Sequence, residues 1–98
     1  MFIQVIDFRT TRPDDVREFA QRWGADASDD GTATRGYLCR DRDDAARMQL
    51  IVEFPSYDEA MRNSDRDETD RFFREFSALC DGEPAFRNLD VAESWSGG

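Results

Sequence analysis

Residues 52–73 read VEFPSYDEAMRNSDRDETDRFF, and the way this stretch divides decides the fold. Its head completes an alternation in which Met48, Leu50, Val52 and Phe54 share one face of a strand while Gln49, Ile51 and Glu53 share the other. Ser56, followed three residues later by Glu59, is a helix-start signature: the serine oxygen can accept an orphan backbone N–H, and the glutamate can reach back. The helix so begun carries Tyr57, Ala60 and Met61 and stops near Asn63-Ser64. A run of charges follows. From about Asp67 an apolar stripe of Phe72, Phe73, Phe76, Leu79 and Cys80 restarts a longer helix, which Gly82 ends and Pro84 keeps from continuing. The stretch therefore predicts a strand and then a helix in two pieces.

Upstream, residues 2–10 alternate, with Phe2, Ile6 and Phe8 on one face and Ile3 and Val5 on the other, so this strand is expected to be covered on both sides. Pro13 suits a first helical turn, and Val16, Phe19, Ala20 and Trp23 form one stripe that Gly24 is expected to terminate. Residues 34–41 and 45–54 read as strands joined by the turn RDRDD, and residues 85–93 read as a last strand. The order is β-α-β-β-α-β with the second helix split. This is the ferredoxin-like α+β arrangement, a four-stranded antiparallel sheet with its helices on one face. The other face still carries Ile, Val and Leu. A homodimer that presses two such faces together would bury them.

A chain of 98 residues fits a single domain, residues 1–98, of a size that a partner subunit often helps to stabilise. Its net charge of −9 disfavours nucleic acid and anionic membranes as partners. All 13 cations are Arg, and His is absent. That absence removes the commonest metal ligand and the commonest general base. No stretch has the length of a membrane span and the chain opens directly on a strand pattern, so a cytoplasmic location is expected. Cys39 and Cys80 are widely separated and read as two buried thiols.

The element order, the segment VEFPSYDEAMRNS at the exit of the third strand, and the closing FFREFSALCDGEPAFRNLDV resemble the dimeric α/β-barrel superfamily, in particular the antibiotic biosynthesis monooxygenase-like group, over residues 1–94. The resemblance implies a dimer, a cavity between sheet and helices in each protomer, and a small apolar or aromatic ligand. It also implies oxygenase chemistry without metal, flavin or other cofactor, in which an electron-rich phenol is deprotonated and reduces oxygen directly. In proteins of this kind the break in the second helix often carries His or Asn. Here it carries Asn63.

Carried onto this chain, the resemblance makes Asn63 and Tyr37 candidate catalytic residues and Trp23, Arg35, Tyr57, Phe72 and Phe76 candidate substrate-binding residues. Each also has a plainer role. Asn63 suits a left-handed helix cap, the preferred reading because capping needs no ligand. Aromatics on helix stripes pack cores, and Arg35 on an acidic surface suits a salt bridge. With no His base, a buried carboxylate such as Asp7 or Asp90 would have to take the proton. DASDDG, residues 26–31, matches the start of a calcium loop through Asp26, Ser28, Asp30 and Gly31. Position twelve is Tyr37 and a strand follows, so the stretch reads as an acidic turn and no metal is expected. The alternative to an oxygenase is a non-catalytic ligand-binding or dimerisation module.

Overall fold

The computed structural model describes residues 1–27 and 33–97. The elements run β1 (Phe2–Arg9), α1 (Pro13–Ala27), β2 (Arg35–Arg40), β3 (Arg47–Phe54), α2 (Tyr57–Ser64), α3 (Asp67–Ala78) and β4 (Ala85–Asp90). The four strands form one antiparallel sheet in the order β2-β3-β1-β4. This is the ferredoxin-like topology expected from the sequence, with the second helix divided into α2 and α3.

Side-chain parity on the central strands sets the two layers. Phe2, Ile6 and Phe8 of β1, with Met48 and Phe54 of β3, are buried beneath the helices. Val16 and Phe19 of α1 and Phe72 and Phe76 of α3 close over Ile6, Phe8 and Met48, while Ala60 of α2 packs with Phe2 and Phe54. Burying one such ring contributes about 1.5–3 kcal/mol of transfer free energy, so this aromatic layer is the main stabilising block. Residues of opposite parity, Ile3, Val5 and Ile51, are only half-buried, because the helices lie on the other side of the sheet.

Three boundaries differ from the sequence reading. α1 continues through Gly24, since glycine inside a helix costs about 1 kcal/mol without forbidding it. β3 starts at Arg47 because Ala45 and Ala46 belong to a turn in which the Arg47 N–H bonds the Asp44 carbonyl at 3.0 Å and the Ala46 N–H bonds the Asp44 carboxylate at 3.1 Å. β4 stops at Asp90, opposite Phe2, where β1 has no further residues to pair with. The Val91 N–H makes the final bond to the Met1 carbonyl.

Thr10, 1% exposed, ties the end of β1 to the end of α3: its hydroxyl donates to the Leu79 carbonyl at 2.7 Å and accepts from the Arg12 N–H at 2.9 Å. The Asp81 N–H adds a bond to the Arg9 carbonyl, and Gly82 follows at φ +89°, a turn geometry that favours glycine. These bonds fix where α3 ends, and with it the position of its aromatic face.

Candidate functional site

The break that carries Asn63 is built without a left-handed residue. Ser56, extended at φ −157° and ψ 166°, accepts the Glu59 N–H at 3.2 Å, so α2 starts as the capping signature predicts. At the other end the Asp65 N–H reaches the Met61 carbonyl at 3.1 Å and the Arg66 N–H reaches the Asn63 carbonyl at 3.2 Å. Asp65 is the C-cap, with right-handed φ −83° and ψ −3°, and Arg66 turns extended to start α3. This corrects the expectation that Asn63 is a cap. The tightened last turn satisfies the carbonyls itself, and Asn63 lies inside α2. Its half-buried side chain makes no hydrogen bond among the described residues.

Beside α2, the aromatic rings of α1 and α3 form a continuous block. Phe76 meets Phe8 edge-on at 4.7 Å and stacks on Phe72 at 5.6 Å; Phe72 in turn lies 5.2 Å from Phe19 and 5.0 Å from Trp23. Phe76 is 1% exposed and Phe72 6%, so Phe76 is core, and Phe72 is the wall behind the half-buried Trp23. Trp23 opens onto a groove of about 450 Å³ between α1 and α3, lined by Phe19, Arg22, Trp23, Arg71, Glu75 and Leu79. A second depression shares Phe19, Arg22 and Leu79 with it. The space under the helices, where a closed cavity is expected, is occupied by the Phe8, Phe72 and Phe76 rings.

The remaining candidates lie elsewhere. Tyr57 is 53% exposed and meets Phe2 edge-on at 5.4 Å. Tyr37 pairs with Ile51 and Arg35 with Glu53, so both side chains stand on the sheet face away from the helices, where Arg35 donates to the Tyr37 hydroxyl at 3.3 Å. The expectation that Tyr37 and Arg35 share a pocket with Trp23 and Asn63 is thereby corrected. Leu38 packs against the core, and strand alternation sends its neighbours outward. The predicted set is distributed over three places: Trp23 and Phe72 at the α1–α3 groove, Tyr57 and Asn63 on α2, and Arg35 and Tyr37 on the open sheet face. Arg22, Arg71 and Glu75 line the groove without having been singled out; their signal in the sequence is position, Arg22 next to Trp23, Arg71 next to Phe72 and Glu75 next to Phe76.

The two carboxylates proposed as proton acceptors differ. Arg47 holds Asp7 through two bonds, at 2.8 and 3.2 Å, which pulls the Asp7 carboxyl below its ordinary value and makes it a weaker base. Asp90 pairs with Phe2 and is exposed at the sheet end that α2 covers. The two thiols also depart from expectation. Cys39 is exposed, because it shares the outward parity of Tyr37 on an edge strand. Cys80 is half-buried and donates to the Phe76 carbonyl at 3.4 Å, and burial pushes its thiol up to about 11, which makes it a poor nucleophile. Among the described residues no group of three or more His, Cys, Asp or Glu could hold a metal ion. The acidic turn read against a calcium loop falls largely outside the described residues. Among those described, no helix is long and apolar enough to cross a membrane.

No family model matches the chain, and no curated protein matches it either. Solved structures do. SnoaB, a cofactor-independent oxygenase from Streptomyces nogalater, superposes with TM-score 0.81 at 16% identity, over 95% of this chain and 94% of that one. A provisionally assigned antibiotic biosynthesis monooxygenase from Deinococcus radiodurans gives TM-score 0.81 at 6% identity, over 100% and 99% of the two chains. A conserved protein from Methanosarcina mazei Go1 gives TM-score 0.77 at 9% identity and 91% coverage of each. The chain thus has the ferredoxin-like fold of antibiotic biosynthesis monooxygenase-like proteins.

Proposed function

We propose that this chain is a homodimeric cytoplasmic protein that binds a small, largely apolar aromatic molecule and oxygenates it without a cofactor. The observation that carries the proposal is Trp23, half-buried at the rim of the α1–α3 groove with its ring 5.0 Å from Phe72. An indole held on a second ring offers a flat surface to an aromatic ligand at little cost in ordering. The likeness in fold to SnoaB supports the choice of reaction class.

In this reading the substrate, an electron-rich phenol or the keto tautomer of one, such as an anthrone, first gives up a proton. Its anion reduces dioxygen and forms a carbon–oxygen bond. The peroxide then loses water and leaves a quinone, so one oxygen atom enters the product, the other leaves as water, and all the electrons come from substrate. For substrate that reaches past the groove to α2, the Asn63 amide, which has no partner among the described residues, supplies a hydrogen bond to developing oxyanion charge. Arg47 already engages Asp7 through two hydrogen bonds, so this reading assigns the proton to Asp90. Tyr37 and Arg35 act only if the substrate or a second subunit approaches the open sheet face. Oxygen uptake by Asn63→Ala tests the assignment: unchanged turnover removes Asn63 from the mechanism.

A second reading rests on the dispersal of the candidate residues over three places. A binding module without catalysis needs the aromatic groove alone, and Trp23 with Phe19 and Leu79 suffices for that. Binding of an aromatic probe with no oxygen uptake would select it.

The open sheet face supports the dimer. Tyr37 is 42% and Leu89 47% exposed there, beside half-buried Ile3, Val5 and Ile51. An apolar band of this kind on one sheet face is what a second copy would cover.

A further inference from the structure

The groove between α1 and α3 is lined by two cationic groups, one from each helix. Arg22 lies with its guanidinium carbon 5.9 Å from the centre of the Phe19 ring, and Arg71 enters the lining from α3. Neither forms an ion pair among the described residues, although the sequence has 22 acidic residues against 13 basic ones. The contrast within α3 is informative. Arg74 takes the carboxylate four residues before it, Asp70, at 3.0 Å, whereas Arg71 leaves Asp67 at the same spacing and turns to the groove. Glu75, the other charged group in the lining, stands four residues after Arg71, the weaker order for a helical pair.

We infer that this groove binds a small planar aromatic carboxylate, its ring against Trp23 and Phe19 and its carboxylate taken by Arg22 and Arg71. The inference rests on the aromatic-ligand reading above and adds the charge that ligand carries. Guanidinium groups suit it, because they bond a carboxylate through paired N–H groups and stack on rings. Two arginines and one glutamate leave the lining with a single net positive charge, which matches a monoanion. A phosphate dianion would meet the Glu75 carboxylate.

The test compares 2-naphthoate with its neutral counterpart 2-naphthol in a Trp95→Phe background, where Trp23 is the remaining indole and its N–H resonance reports binding. Naphthoate is expected to bind at least about ten-fold more tightly, as charged hydrogen bonds of this type imply. Arg22→Gln and Arg71→Gln should each erode that preference by weakening naphthoate far more than naphthol, and amide spectra dispersed like the parent's show that the variants are folded. Equal affinities, or a preference that survives both substitutions, would overturn the inference and leave the aromatic-ligand reading standing. If neither probe shifts the Trp23 resonance, both fail.

Discussion

Arg47 grips Asp7 with two guanidinium nitrogens, at 2.8 and 3.2 Å, on the sheet face that the helices leave open. The pair joins β3 to β1 next to Val5 and Ile51. Because Arg47 draws the Asp7 carboxyl below its ordinary 3.8, the folded state binds that proton less readily than the unfolded chain. The pair therefore stabilises the fold above about pH 4, and its contribution fades as pH falls through the lowered folded value. Arg47→Gln should be less stable than the parent in urea at pH 7, with the gap narrowing steadily as pH falls below about 4. A gap independent of pH would show that Arg47 acts through packing instead.

Phe76 and Trp23 belong to one ring stack but should respond differently to truncation. Phe76→Ala empties a site 1% exposed, between Phe8 and Phe72, and should cost about 3–5 kcal/mol, enough to unfold a domain of this size or nearly so. Trp23→Ala removes a half-buried rim residue, so urea melts should show a smaller loss while binding of an aromatic probe disappears. Comparable losses of stability from the two would place Trp23 in the core and take away the groove's wall.

For Asn63 the two roles considered from the sequence separate cleanly. A helix cap replaced by alanine loses about 1 kcal/mol. Since Asp65 occupies the cap position and Asn63 sits within α2, Asn63→Ala should leave the melting temperature within a degree or two, a shift well under what such a loss produces in a domain of this length. A drop of several degrees would restore the capping role.

The open sheet face makes a prediction about assembly. Ile51→Arg places a charge on the apolar band without touching the layer beneath the helices. Sedimentation at micromolar concentration should give a dimer for the parent and a monomer for the variant, and the parent alone should melt at a temperature that rises with concentration. A monomeric parent would leave the band uncovered and remove the dimer from the account.

How far the sequence could be read follows from which interactions decide each feature. The elements and their order are local matters of period and capping: Ser56 with Glu59 marks the start of α2, and the spacing from Phe72 to Phe76 marks the buried face of α3. Element ends are decided by partners far along the chain. β4 stops where β1 runs out, and α2 closes on bonds from Asp65 and Arg66 that let Asn63 remain helical. The site was less legible for a similar reason. On edge strand β2, both parities carry polar or small residues, so only the packing of Leu38 shows that Tyr37 faces outward. Arg71 has a carboxylate at helical spacing on either side, and nothing local says that it turns to the groove instead.

Cofactor-independent oxygenation of an aromatic ligand is read out by oxygen uptake with an anthrone in the presence of a chelator and without added flavin. Protein-dependent uptake of one dioxygen per anthrone converted to anthraquinone is expected, lowered about a hundred-fold or more by Asn63→Ala. Uptake no faster than in buffer, by protein that still binds the anthrone at Trp23, would contradict it and leave the groove as a binding site alone.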